Sequence, residues 1–166
     1  MPEPVAPVRL RMRVNGADHR LEAFPGERLL DVLRLLGMTG VKEGCGEGEC
    51  GACGILMDGR LVNSCLVPAI QALGAEIVTI EGAATDPVLR QLQESFMERA
   101  GAQCGICTPG MVLAAGALLK RRRDPNEAEI RRALGGNLCR CTGYVKIIDS
   151  VLHAARRLNG AGEGHP

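Results

Sequence analysis

The sequence predicts an α+β chain, a strand-rich first half followed by an all-helical second half. Three observations predict this. Val8, Leu10, Met12 and Val14 alternate with basic residues, and Asn15-Gly16 follows as a hairpin turn. From Pro87 to Leu158, apolar residues recur at helical spacing in four successive segments. The eight cysteines fall into two tight groups, one in each half. With 166 residues the chain can form one ordinary domain or two small ones.

Residues 1 to about 7 are Pro-rich and expected to be flexible. Val8 to Val14 is the first strand and Arg20 to Phe24 its return, ended by Pro25-Gly26. Arg28 to Leu36 places Leu29, Leu30, Val32, Leu33 and Leu36 at helical spacing, and Gly37 stops that helix. Strand, hairpin, strand, helix opens a β-grasp domain, and many other α+β folds as well. Gly54 to Met57 is a further strand ending at the turn Asp58-Gly59. Glu76 to Ile80 is a β-branched closing strand, and Glu81 to Asp86 reads as a linker. The two units are therefore expected at residues 8–81 and 87–158.

In the second unit, Asp86 and Pro87 are the N-cap and first residue of a helix with Val88, Leu92 and Phe96 on its apolar face and Gly101 at its end. A second helix has Thr108 as its expected N-cap and Pro109 as its first residue. It runs through Met111, Val112, Ala115, Leu118 and Leu119 to Lys120-Arg121-Arg122-Arg123, whose charge suits a helix C-terminus in solvent. Asn126 and Glu129 read as a capping box ahead of Ile130, Ala133 and Leu134, with Gly135-Gly136 as the stop. The last helix follows Thr142-Gly143 and presents Tyr144, Ile148, Val151, Leu152 and Ala155. Asn159 to Pro166 is expected to be loose. His19, His153 and His165 lie apart from the cysteines and are expected at the surface.

Composition narrows the function. The net charge of +1, one Tyr, two Phe and no Trp argue against a nucleic-acid platform, which needs basic surface and stacking rings. No apolar run approaches a membrane span. The N-terminal residues show no basic region followed by an apolar core, so a cytoplasmic, reducing location is expected. There, clustered cysteines read as metal or redox chemistry rather than disulfides.

Gly44-Cys45-Gly46-Glu47-Gly48-Glu49-Cys50-Gly51-Ala52-Cys53 has the Cys-x4-Cys-x2-Cys spacing of plant-type ferredoxins, and Cys65 is available as a fourth ligand. Its glycines suit a loop that must turn backbone N–H groups onto sulfur. Gln103-Cys104-Gly105-Ile106-Cys107-Thr108-Pro109-Gly110 offers Cys-x2-Cys, and Gly136 to Tyr144 offers Cys139-x-Cys141, each just ahead of a helix. Helix N-termini present free N–H groups and positive partial charge, so these pairs suit an anionic four-thiolate centre such as [2Fe–2S]. A structural zinc site is the alternative for four cysteines, although zinc modules usually present paired Cys-x2-Cys knuckles.

Both cysteine sets, with their flanks and in this order, resemble the small iron–sulfur subunit of the molybdenum hydroxylases, the xanthine dehydrogenase and aldehyde oxidase family. The resemblance covers about residues 8 to 158. It implies a β-grasp ferredoxin domain followed by a four-helix bundle, each with one [2Fe–2S] cluster. Cys45, Cys50, Cys53 and Cys65 would ligate the first cluster. Cys104, Cys107, Cys139 and Cys141 would ligate the second. It also implies that Gln103 lies against the pyranopterin of the molybdenum cofactor, a residue whose amide could equally bond local backbone. The implied partners are a large molybdenum subunit and a medium FAD subunit, in a heterotrimer or a dimer of heterotrimers. The complex would oxidise a purine, N-heterocycle or aldehyde, while this chain carries single electrons and holds no substrate.

Other readings keep a place. Gly46 to Glu49 resembles heterocycle-oxidising members more than carbon monoxide dehydrogenases, and Gly143 to Ile148 is similar to hydroxybenzoyl-CoA reductase small subunits. A free-standing two-cluster ferredoxin would behave as a monomer without larger partners. A zinc-stabilised interaction module would be colourless, because Zn²⁺ is d¹⁰.

Overall fold

The structure, a computed structural model, describes residues 6–160. The expected loose N-terminus lies largely outside that range, as do most of the expected tail and His165. Strands β1 (Val8–Val14) and β2 (Ala17–Ala23) pair antiparallel, with Val14 opposite Ala17. The two intervening residues, Asn15 and Gly16, both take positive φ, the geometry that matches strand twist in a tight hairpin. The return strand therefore starts at Ala17, earlier than its apolar residues suggest. Helix α1 (Leu29–Leu35) follows, then β3 (Gly54–Met57), β4 (Arg60–Asn63) and β5 (Glu76–Val78). β4 is too short and polar to announce itself except through the Asp58-Gly59 turn, where φ is again positive.

The sheet order is β2-β1-β5-β3-β4, with β5 parallel to β1 and every other pair antiparallel. One face buries Leu10, Met12, Val14, Ile55 and Ile77 against Leu29, Leu30, Val32 and Leu33 of α1. α1 ends as expected: Gly37 takes φ +88°, and Met38 N–H reaches back to the Leu33 carbonyl.

The second half contains α2 (Pro87–Glu98), α3 (Thr108–Arg121), α4 (Glu127–Ala133) and α5 (Val145–Leu158). α2 packs on α3 and α5, and α4 packs on the same two. Leu89, Leu92, Phe96, Met111, Leu119, Ile130, Ile147 and Val151 fill the space between them. Asp86 caps α2 by accepting from Val88 and Leu89 N–H, and the Asn126–Glu129 capping box is present in both directions.

Three expectations need correction. First, Thr108 is inside α3; Cys107 precedes it in αR geometry and no side chain caps the helix. Gly105, at φ +85°, turns the chain so that the helix starts at the cysteine itself. Second, Ala100 rather than Gly101 takes the left-handed position after α2; Gly101 is needed because a Cβ there would press on Ser150 Oγ and the Phe96 ring. Third, His153 is buried, with Nδ1 3.0 Å from Ser95 Oγ. Its α5 position is on the core side, where an apolar residue would leave Ser95 without that partner. The basic run Lys120–Arg123 is exposed at the end of α3, as expected, and Lys120 and Arg122 also pair with Asp86 and Glu129.

The stretch read as a linker is a 3-10 helix, Ile80–Thr85, with Gly82 and Ala83 buried. Asn15 exchanges hydrogen bonds with Thr79 (2.8 and 2.9 Å), and Glu81 bonds Thr79 Oγ1 and Gly40 N–H. The passage between the halves is therefore pinned. Leu56 of β3 belongs to the helical core, so α3 covers the face of the sheet opposite α1.

Candidate metal centres

The first cysteine group sits on the loop between α1 and β3. Arg28 holds the loop entrance by pairing with both Asp31 and Glu43. Gly46, Gly48 and Gly51 take positive φ, which winds the backbone around the thiols. Glu47 and Glu49 N–H groups point at Cys45 Sγ, at 3.4 and 3.3 Å. These donors, with a backbone N–H at Cys50, lower the Cys45 thiol to about 7. Cys65 arrives in a 3-10 turn after β4, beside Cys53. Burial, reinforced by Cys53, pushes Cys65 up to about 11.

The second group is assembled from two segments. Cys104 and Cys107 precede α3; Cys139 and Cys141 lie between α4 and α5. Cys104 and Cys141 Sγ lie 3.5 Å apart, and Cys107 neighbours Cys139. Burial and the neighbouring Cys139 push Cys107 up to about 12. Burial also disfavours the Cys139 thiolate, but hydrogen bonds from Thr142 and Cys141 outweigh it and bring Cys139 to about 7. Tyr144 closes this segment with φ +69°, and its hydroxyl accepts from Cys139 N–H (2.9 Å) and donates to the Asn137 carbonyl (3.1 Å).

All eight thiols are free, and each group consists of two close pairs. Among the described residues, no three His, Cys, Asp or Glu side chains converge as a single metal ion requires. Two pairs suit a binuclear centre whose two irons each take two thiolates. Each group also has an inner and an outer pair. Cys53 and Cys65 are buried, whereas Cys45 is exposed. Cys107 and Cys139 are partly buried, whereas Cys104 and Cys141 are exposed.

The groups touch through backbone. Leu138 N–H donates to the Cys50 carbonyl (2.9 Å), and Asn137 Nδ2 donates to the Gly51 carbonyl (3.2 Å). A Cβ on Gly51 would fall 2.5 Å from both Asn137 Nδ2 and the Gly136 carbonyl, and one on Gly110 would overlap the Gly51 carbonyl oxygen. Sequence reasoning passed over Asn137 and gave Thr142 and Tyr144 no role in the site. The only available signal was their place beside Cys139-x-Cys141. Gln103 is exposed, and among the described residues nothing bonds its amide. Arg140 is exposed as well.

Comparison with known proteins gives two family matches in tandem: a 2Fe-2S iron-sulfur cluster binding domain over residues 12–73 and a [2Fe-2S] binding domain over residues 79–152. The nicotinate dehydrogenase small FeS subunit of Eubacterium barkeri is 47% identical over 151 residues, 90% of this chain and 96% of the relative. The xanthine dehydrogenase iron-sulfur-binding subunit of Escherichia coli is 44% identical over 147 residues, 87% of this chain and 92% of the relative. A chain in the crystal structure of quinoline 2-oxidoreductase from Pseudomonas putida 86 superposes with a TM-score of 0.87 at 41% identity, over 95% of this chain and 98% of that one. No described helix is long and apolar enough to cross a membrane. With both iron–sulfur domains matched and nearly the full length shared, the chain belongs to the small [2Fe–2S] subunits of the molybdenum hydroxylase family.

Proposed function

We propose that Cys45, Cys50, Cys53 and Cys65 hold one [2Fe–2S] cluster, and Cys104, Cys107, Cys139 and Cys141 the other. The protein is an electron-transfer subunit of a molybdenum-containing oxidoreductase complex. When bound, each cluster supplies a one-electron redox centre. The chain's own residues hold the two sets at a fixed separation and connect them. The observation that carries this reading is the bond from Leu138 N–H to the Cys50 carbonyl. Leu138 is covalently joined to Cys139, so one hydrogen bond completes a path between a ligand of each set.

The same reading covers the finer architecture: a β-grasp ferredoxin-like domain over residues 8–81 and a four-helix bundle over residues 87–158. It gives the chain a large molybdenum-cofactor subunit and a medium FAD subunit as partners in a cytoplasmic heterotrimer. The substrate would be a purine, N-heterocycle or aldehyde oxidised on the large subunit. The unbonded amide of Gln103 is available to contact the pterin. Ile106, Leu138 and Val145 are 52%, 56% and 65% exposed near the second set, which supports a covering partner over a free carrier. Electrons would enter through the second set, next to Gln103, and leave through the first toward flavin.

Cys50→Ser in the assembled complex tests the order. A purine, heterocycle or aldehyde substrate should still reduce molybdenum and the second cluster, while flavin reduction and turnover fall sharply. Flavin reduction at the normal rate with the first cluster missing would show the proposed order to be wrong.

A further inference from the structure

The two sets differ in what donates to their sulfur atoms. In the first, backbone N–H groups of Glu47 and Glu49 serve Cys45. No side-chain substitution can remove them. In the second, the Cys139 backbone N–H is occupied by the phenol of Tyr144. Beside the backbone of Thr142 and Cys141, which also favours the Cys139 thiolate, Cys139 Sγ faces a side-chain donor, the Thr142 hydroxyl, at 3.2 Å. Thr142 Oγ1 accepts from Tyr144 N–H at 3.1 Å, and because a ligating Cys139 sulfur carries no proton, the Thr142 hydroxyl is the donor between them. Tyr144 thus grips the segment at both ends, by its phenol and by its amide. That double grip holds a non-glycine residue at φ +69°, a conformation that is otherwise disfavoured.

We propose that Thr142 is a positioning residue that raises the reduction potential of the second cluster by donating its hydroxyl proton to Cys139 Sγ, with Tyr144 holding the hydroxyl in register. A hydrogen bond to a ligand sulfur stabilises the added negative charge of the reduced cluster, so the reduced form is favoured. The inference rests on Cys139 being a ligand of that cluster. The second set thus adds a replaceable side-chain donor to its backbone groups, whereas Cys45 of the first set is served by backbone N–H groups. The second set can be retuned by a single substitution at residue 142.

The test is an EPR-monitored redox titration of the assembled complex carrying Thr142→Val, with Thr142→Ser as rescue. With iron content unchanged, the valine variant should shift the second-cluster midpoint to lower potential. Serine should restore it, and the first-cluster midpoint should not move. An unchanged second midpoint in a fully loaded valine variant would overturn the proposal. If the valine variant arrives short of iron, Thr142→Ala, which adds no bulk, is titrated in its place with the same expected shift. Loss of the cluster from both would also overturn the proposal, because the hydroxyl would then hold the cluster rather than tune it. Cys139→Ser separates this from the ligand assignment: survival of the second-cluster signal in that variant would defeat the assignment itself.

Discussion

The two cysteine sets reach the same two-plus-two arrangement by different means. Cys45, Cys50 and Cys53 lie on one glycine-wound loop, and Cys65 follows after a single hairpin, so local backbone conformation does most of the work. Cys104 and Cys107 meet Cys139 and Cys141 only because α3, α4 and α5 pack together, and Tyr144 and Thr142 then shape the last segment. The first site is a property of a loop; the second is a property of a core. Damage to packing should therefore reach the second site first.

The largest expected effect comes from removing a ligand. Cys107→Ser should abolish the second-cluster signal and turnover, and reduce iron from about four per chain to about two, leaving the first-cluster signal in place. Iron and acid-labile sulfide analysis with EPR checks this. Stoichiometric zinc in the wild-type protein would break the comparison at its root.

Leu134→Ala sharpens the comparison without touching a ligand. Leu134 is 3% exposed and ends the helix that leads into the Asn137–Cys141 segment. The cavity should destabilise the helical half by about 2–5 kcal/mol. On heating, the second-cluster signal should disappear well before the first, whereas in wild type the two should be lost closer together.

Gly110→Ala strikes the join. The added methyl must displace the Gly51 carbonyl, so both sites should feel it, with a loss of about 1–3 kcal/mol. Thermal melts followed separately at each cluster should move together. Movement of the second alone would show that the halves are less coupled than the contact implies.

The smallest effect concerns Asp86. Burial opposes its charged form, but Lys120 and the N–H groups of Leu89 and Val88 outweigh that and hold its carboxyl below the ordinary range. A lowered folded value means stability that is present above the unfolded carboxylate pKa of about 4 and is lost as pH falls through the folded value. Asn keeps the cap but not the charge, so Asp86→Asn should flatten this acid-side loss by under about 1 kcal/mol, the pair being partly exposed. The wild-type-minus-variant difference in melting temperature between about pH 6 and pH 3 reads it directly.

Much of the chain was legible because its punctuation is local. Asn15-Gly16, Gly37, Asp86-Pro87 and Asn126 with Glu129 each act within a few residues, and the structure uses all of them as turn, stop or cap. The eight thiols were legible by spacing and type. What spacing could not show is tertiary. The pairing of Cys104 with Cys141 and of Cys107 with Cys139 depends on helix packing, and so does the contact of Leu138 with Cys50. The α3 boundary shifted because the turn at Gly105 competes with the Thr108 cap. His153 misled for a related reason: a polar residue on a core face reads as surface until its partner, Ser95, is known.

On the ribosome, Cys45 through Cys65 emerge well before residue 138. Until then, the Cys50 carbonyl has only water to accept from and the Gly51 carbonyl has only the Gly54 N–H of its own loop, because Leu138 and Asn137 are still to be synthesised. The loop that looks self-contained in the finished protein is completed by the last third of the nascent chain. A chain stalled short of that point would expose a wet, half-closed loop to any scaffold delivering iron and sulfide.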